Sequence, residues 1–175
     1  EVNWVDALEQ IYQELQPKIY AYFYIKTSNS AIAEDLTQDV FYEAVKSIHT
    51  YRGEAALSTW LFHIANNLLK KYYRKKSYEK SLASKIEAQP SITLFTTEQL
   101  IEIKDESKRL LSKIEQLGPP FKDIVLLRII GELSFKEIGE LLELSENYVR
   151  VNFHRQKIKL QREEELLWIH VKLPR

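Results

Sequence analysis

Two stretches of this sequence combine cations with neutral hydrogen-bonding side chains at helical spacing, the mixture that phosphates and base edges call for. In STWLFHIANNLLKKYYRKK, residues 58–76, His63, Asn67, Lys70 and Arg74 follow one another at intervals of three and four. At roughly 100° per residue they share one side of a helix, with Trp60 and Lys71 at its edge. In SENYVRVNFHRQKIKLQR, residues 145–162, Arg150, His154, Lys157 and Gln161 fall on one outward side, and Arg155, Lys159 and Arg162 on another. Cations so placed neutralise phosphates, while amides and imidazoles hydrogen-bond to bases. Either face alone also reads as the solvated exterior of an amphipathic helix, its long cationic side chains lying over apolar surface. Trp60 reads either as core or as the edge of such a surface. Catalytic chemistry has less to stand on. His49, His63, His154 and His170 lie in four separate segments without a paired-histidine spacing, and no carboxylate stands out from a solvated face. No catalytic residue, metal or cofactor is expected.

The total charge conceals how the cations are distributed. The 175 residues carry 25 basic and 25 acidic side chains. Residues 1–48 hold eight acidic and three basic groups, a net of −5. Residues 49–88 hold eight basic and three acidic groups (+5), and residues 144–162 five basic and one acidic (+4). Screening confines an electrostatic footprint to roughly 8–10 Å, so the local blocks decide partners and the neutral total does not. Cysteine is absent, which excludes disulfides and thiolate metal sites and fits a cytoplasmic protein. Four glycines leave nothing from which to build a phosphate-cradling loop. No apolar run approaches a membrane span, and the first twenty residues lack the pattern of a secretory leader, so no membrane insertion is expected.

The elements that must position these groups are helices throughout. Apolar spacing at three and four predicts them near 3–26, 31–48, 58–79, 98–116, 120–131, 135–143 and 146–166. The fold class expected is all-α: two small helical domains, residues 1–79 and 98–166, joined by a flexible linker over 80–97, with 167–175 a tail of no assigned role. Ser58 is the predicted cap of the first basic helix, whose inward face would be Leu57, Leu61, Ile64, Ala65, Leu68 and Tyr72. Ser134 and Glu137 are spaced as a capping box, and Ser145 is placed to cap the second basic helix over a core of Val149, Phe153 and Leu160. A short helix, a tight break and a longer basic helix make a helix-turn-helix, whose second helix enters the major groove. Residues 31–48 carry a core stripe, Ala33, Leu36, Val40 and Ala44, and a second, mixed stripe, Glu34, Gln38, Phe41 and Val45. The mixed stripe reads as a protein-docking surface or as a helix buried on two sides.

Three stretches in this order resemble bacterial RNA polymerase sigma factors of the sigma-70 family, extracytoplasmic-function (group four) type. AEDLTQDVFYEA is similar to the polymerase-binding helix of region 2.2, STWLFHIANNLLKKYYRKK to regions 2.3–2.4, and LSFKEIGELLELSENYVRVNFHRQKIKL to the region 4.2 helix-turn-helix. The resemblance covers about residues 5–163 and implies a transcription initiation factor that is not an enzyme. Its expected partners are core RNA polymerase, promoter DNA and an anti-sigma factor. It implies polymerase binding by Glu34, Asp35, Leu36, Gln38 and Phe41. Contact with the minus-ten element falls to Tyr51 and Arg52, in the base-capturing segment HTYRGEAAL, and to Trp60, His63, Asn67, Lys70, Lys71 and Arg74. Contact with the minus-thirty-five element falls to Ser145, Asn147, Tyr148, Arg150, His154, Arg155 and Lys157. The sequence departs from the family pattern at Lys71, where an aspartate is usual, and at Glu143, where a glycine is usual. Val151 and Asn152 stand where small or basic residues are usual. A polymerase-independent helix-turn-helix regulator and a helical protein adaptor remain the alternatives.

Overall fold

A computed structural model describes residues 4–83 and 112–163, which fall in two compact units, Glu1–Leu94 and Phe95–Arg175. In the first unit, α1 (Trp4–Thr27), α2 (Ser30–Ser47) and α3 (Leu57–Ala83) pack pairwise, with a 3₁₀ turn at Ile48–Thr50. Ser28 takes a left-handed φ of 52° and ends α1. Asn29 then starts α2, its side-chain oxygen accepting from the Ile32 amide at 3.0 Å. The core joins Ile19, Tyr22 and Phe23 of α1 to Ala33, Leu36 and Val40 of α2 and to Leu61, Phe62, Ala65 and Leu69 of α3. The Tyr22 and Phe62 rings meet edge to face at 5.6 Å. At the far end of α1, the Tyr73 hydroxyl donates to the Lys26 carbonyl and ties α3 down.

The inward face of α3 differs from the expected one by about a quarter turn. Thr59, Leu61, Phe62, Ala65, Asn66 and Leu69 are buried, while Ile64, Leu68 and Tyr72 are only half-buried. The apolar pattern misplaces it because two polar residues, Thr59 and Asn66, occupy core positions, and neither lacks a partner there. Ser58 does not cap the helix. α3 already begins at Leu57, and the Ala56 carbonyl accepts from the Trp60 amide at 3.1 Å, which places Ser58 in the first turn. α3 also continues through Ala83, so residues 80–83 of the expected linker are helical. Residues 84–97, most of the expected helix over 98–116 and the tail 167–175 lie outside the described residues.

In the second unit, a helical turn over 112–115 precedes α4 (Phe121–Ile129), α5 (Phe135–Leu142) and α6 (Glu146–Glu163). Pro120 stands at the N-cap of α4 rather than inside its first turn. Ile124, Val125, Leu126 and Leu127 are buried in succession, so α4 is enclosed on every side and serves as the centre of the unit. Ile138 and Leu141 of α5 and Val149, Phe153 and Leu160 of α6 close on it.

Candidate nucleic-acid interface

The entry to α5 is built as its spacing predicts. The Ser134 hydroxyl accepts from the Glu137 amide at 3.2 Å, and the Glu137 carboxylate accepts from the Ser134 amide at 2.8 Å. Above it, the Arg128 guanidinium donates to the Leu133 carbonyl at 2.8 Å and lies 4.9 Å over the Phe135 ring. α5 ends at Glu143, whose φ of 59° is left-handed. The Leu144 amide returns to the Gly139 carbonyl at 2.8 Å, and a Cβ on Gly139 would stand 2.7 Å from the Leu144 carbonyl oxygen. That close approach sets the angle at which α6 leaves the turn. Ser145 caps α6, accepting from the Tyr148 amide at 3.2 Å.

Val149, Asn152, Phe153 and Leu160 bury one side of α6. The other side exposes Asn147, Tyr148, Arg150, Val151, His154, Arg155 and Lys159, with Lys157 half-buried. Arg150 is paired with the Glu146 carboxylate one turn earlier. The His154 ring packs edge-on against Phe135 at 5.8 Å and Phe153 at 5.7 Å, which fixes its direction. Asn152 turns inward, its amide donating to the Tyr148 carbonyl at 2.9 Å.

On α3 the rotated core leaves Asn67, Lys70, Lys71 and Arg74 exposed on one side, with His63 half-buried beside them. Trp60 is neither core nor a free platform. It is half-buried, one side against Tyr51 at 5.3 Å and the other lining an apolar pocket with Phe41, Val45, Ile48 and Leu57. The Tyr51 hydroxyl donates to the Ala55 carbonyl at 2.7 Å and folds the 51–56 loop back on itself, leaving Arg52 exposed at its tip. Of the α2 residues, Glu34, Asp35 and Gln38 are exposed and Phe41 is half-buried against Tyr12 at 4.7 Å. Leu36 is buried at 8% exposure. It packs into the core between α2 and its neighbours, beside the exposed polar residues of the same helix. The Tyr20 hydroxyl pKa is raised, first by burial and then by the Glu34 carboxylate nearby. Among the described residues no group of three metal-ligating side chains converges, and no helix is long and apolar enough to cross a membrane.

Residues 11–78 match the family model for sigma-70 region 2, and residues 107–160 match the model for sigma-70 region 4. The chain is 30% identical over 158 residues to the RNA polymerase sigma factor YlaC of Bacillus subtilis, covering 90% of this chain and 91% of YlaC. This chain belongs to the extracytoplasmic-function sigma factors of the sigma-70 family. A second relative, the ECF sigma factor SigW of the same organism, is 28% identical over 166 residues, covering 90% of this chain and 89% of SigW. The fold resembles the sigma factor RpoE of Bartonella quintana, solved with the anti-sigma factor NepR (TM-score 0.69, 17% identity, 91% of this chain and 98% of that one). It also resembles CnrH, solved with the cytosolic domain of CnrY (TM-score 0.60, 19% identity, 91% and 86%).

Region 2 of this sigma factor thus contains the α2 face, the Tyr51 loop and the cationic side of α3, and region 4 contains the helix-turn-helix. The departure at Glu143 has a structural meaning. A glycine suits a left-handed turn, and a side chain there costs about 1 kcal/mol. The helix-turn-helix also presents a residue that spacing arguments passed over, Val151, which stands exposed among cations.

Proposed function

We propose that this sigma factor docks on core RNA polymerase through the exposed side of α2 and directs it to two-part promoters. Glu34, Asp35 and Gln38 make the polar part of the docking face, and Phe41 borders its apolar part. Region 2 then holds the minus-ten element. Arg74, Lys70 and Lys71 track phosphates, Asn67 and His63 face base edges, and the Tyr51–Arg52 loop with Trp60 receives an unstacked base. Capturing that base offsets part of the unpairing cost, on the order of a few kcal/mol. Region 4 places α6 in the duplex upstream, with Asn147, Tyr148 and Arg155 toward bases and Arg150, His154 and Lys157 toward the backbone. Ser145 sets the N-terminus of that helix. In this reading the chain acts in the cytoplasm and works by binding, the chemistry being that of the polymerase it directs. An anti-sigma factor is its expected inhibitor, in keeping with the complex of RpoE with the anti-sigma factor NepR.

The observation that carries this reading is that, among the described residues, a cationic, hydrogen-bonding helix face occurs in each unit, while the chain's total charge is zero. Two short footprints are too weak to hold DNA alone, so tight binding requires polymerase to present them together. Electrophoretic retention of promoter duplex by the purified chain and by the reconstituted holoenzyme tests this. Binding by the holoenzyme at least about a hundredfold tighter is expected. Equal binding by the isolated chain would instead favour a polymerase-independent regulator.

A further inference from the structure

The solvent side of α6 has an apolar centre. Counting 100° per residue from buried Val149, the point opposite the core falls between Asn147 and Val151, with Arg150 and His154 to one side and Tyr148 and Arg155 to the other. Val151 is 37% exposed and Tyr148 40%. Ser145, Asn147, Tyr148, Val151, Asn152 and Arg155 line a shallow open concavity of about 470 Å³. The two polar groups nearest Val151 in sequence are occupied elsewhere. Arg150 is paired with Glu146, and the Asn152 amide donates to the Tyr148 carbonyl. What the middle of this face offers a partner is therefore a branched methyl surface, bordered by Asn147 and the Arg155 cation.

We propose that Val151 reads a thymine methyl group in the upstream promoter element. The proposal rests on the reading above that α6 enters the major groove. Of the base edges displayed there, only thymine carries an apolar group, its C5-methyl, so a valine in the middle of the contact face selects a T·A pair at one fixed position. Arg155, one turn further along α6, is placed for the acceptors of a neighbouring guanine or for the adjacent phosphate. Cations on both flanks, Arg150 and Arg155, make this surface suit a duplex better than the apolar face of a protein, since a protein interface centre is depleted of charge. Asn152 sets the backbone beneath the contact and does not read bases.

The test uses the full chain with core polymerase. Promoters are first selected from a randomised duplex library by the holoenzyme, and a near-invariant T·A pair is expected within the upstream element. Each thymine of that element is then replaced in turn by deoxyuridine, which removes the methyl group and leaves the pairing intact. At one position holoenzyme binding should weaken by about fourfold, the effect of withdrawing one methyl group from an apolar contact. With Val151→Ala the methyl dependence at that position should vanish, while the other thymines keep their effects. With Val151→Ile it should persist. An exposed site makes both variants safe for folding, and unchanged circular dichroism confirms it. Uracil without effect at every position, or with the same effect in Val151→Ala, would overturn the proposal while leaving the sigma-factor reading intact. So would a Val151→Ala defect of equal size on templates lacking the upstream element, which would place Val151 on a protein partner. If scrambling the upstream element changes nothing, the placement of α6 on that duplex fails as well.

Discussion

At the scale of single residues, one carboxylate holds a cation of the proposed upstream interface. Glu146 holds the Arg150 guanidinium and stands in the first turn of α6, where a negative charge also favours the helix dipole. Both partners are about half-exposed, so the pair contributes little to stability. If Arg150 meets the DNA backbone as proposed, Glu146 competes with phosphate for it and adds repulsion of its own. Glu146→Gln should therefore tighten holoenzyme binding to a promoter with an upstream element by about threefold and steepen its salt dependence by about one ion. Fluorescence titration across a salt series reads both quantities. Unchanged affinity and slope would mean that Arg150 stays off the backbone. Val151 illustrates what single-residue reading misses. Its type departs from the family pattern, but only its exposure between cations shows that the departure lies on the solvent side of α6.

At the scale of elements, the helix-turn-helix was largely legible, because its determinants are local. Ser134 with Glu137 and Ser145 with the Tyr148 amide are contacts three residues apart, set by helix-start chemistry alone. The inner face of α3 was less legible, because Thr59 and Asn66 are buried by their neighbours and apolar periodicity cannot register that. On α2, Leu36 is buried with Ala33, Val40 and Ala44, as its apolar spacing predicts. Gly139 was silent in sequence, since its role is a close approach to the Leu144 carbonyl across the turn. Gly139→Ala must push backbone apart, because the atom it meets is not the end of a flexible side chain. A loss of about 2 kcal/mol from the unfolding of the second unit is expected, the usual cost of forced overpacking. Denaturant unfolding followed by circular dichroism measures it, and an unshifted midpoint would mean that the turn has room the geometry denies.

At the scale of the whole molecule, the described residues of the two helical units each include a cationic face, and those of the first also include the exposed polar stripe of α2. In the function proposed above, docking falls to region 2 and upstream anchoring to region 4. Chain-wide charge gave no hint of it, because the acidic residues that cancel the cations lie elsewhere in the sequence, eight of them in residues 1–48. The most direct measurement is transcription from genomic template by purified core polymerase, with and without the chain. New transcripts should appear only with the chain, starting downstream of a shared two-part element. Asn67→Ala should abolish them by preventing opening, and Arg155→Ala should weaken them through upstream binding. An unchanged transcript set on adding the intact chain would contradict the assignment.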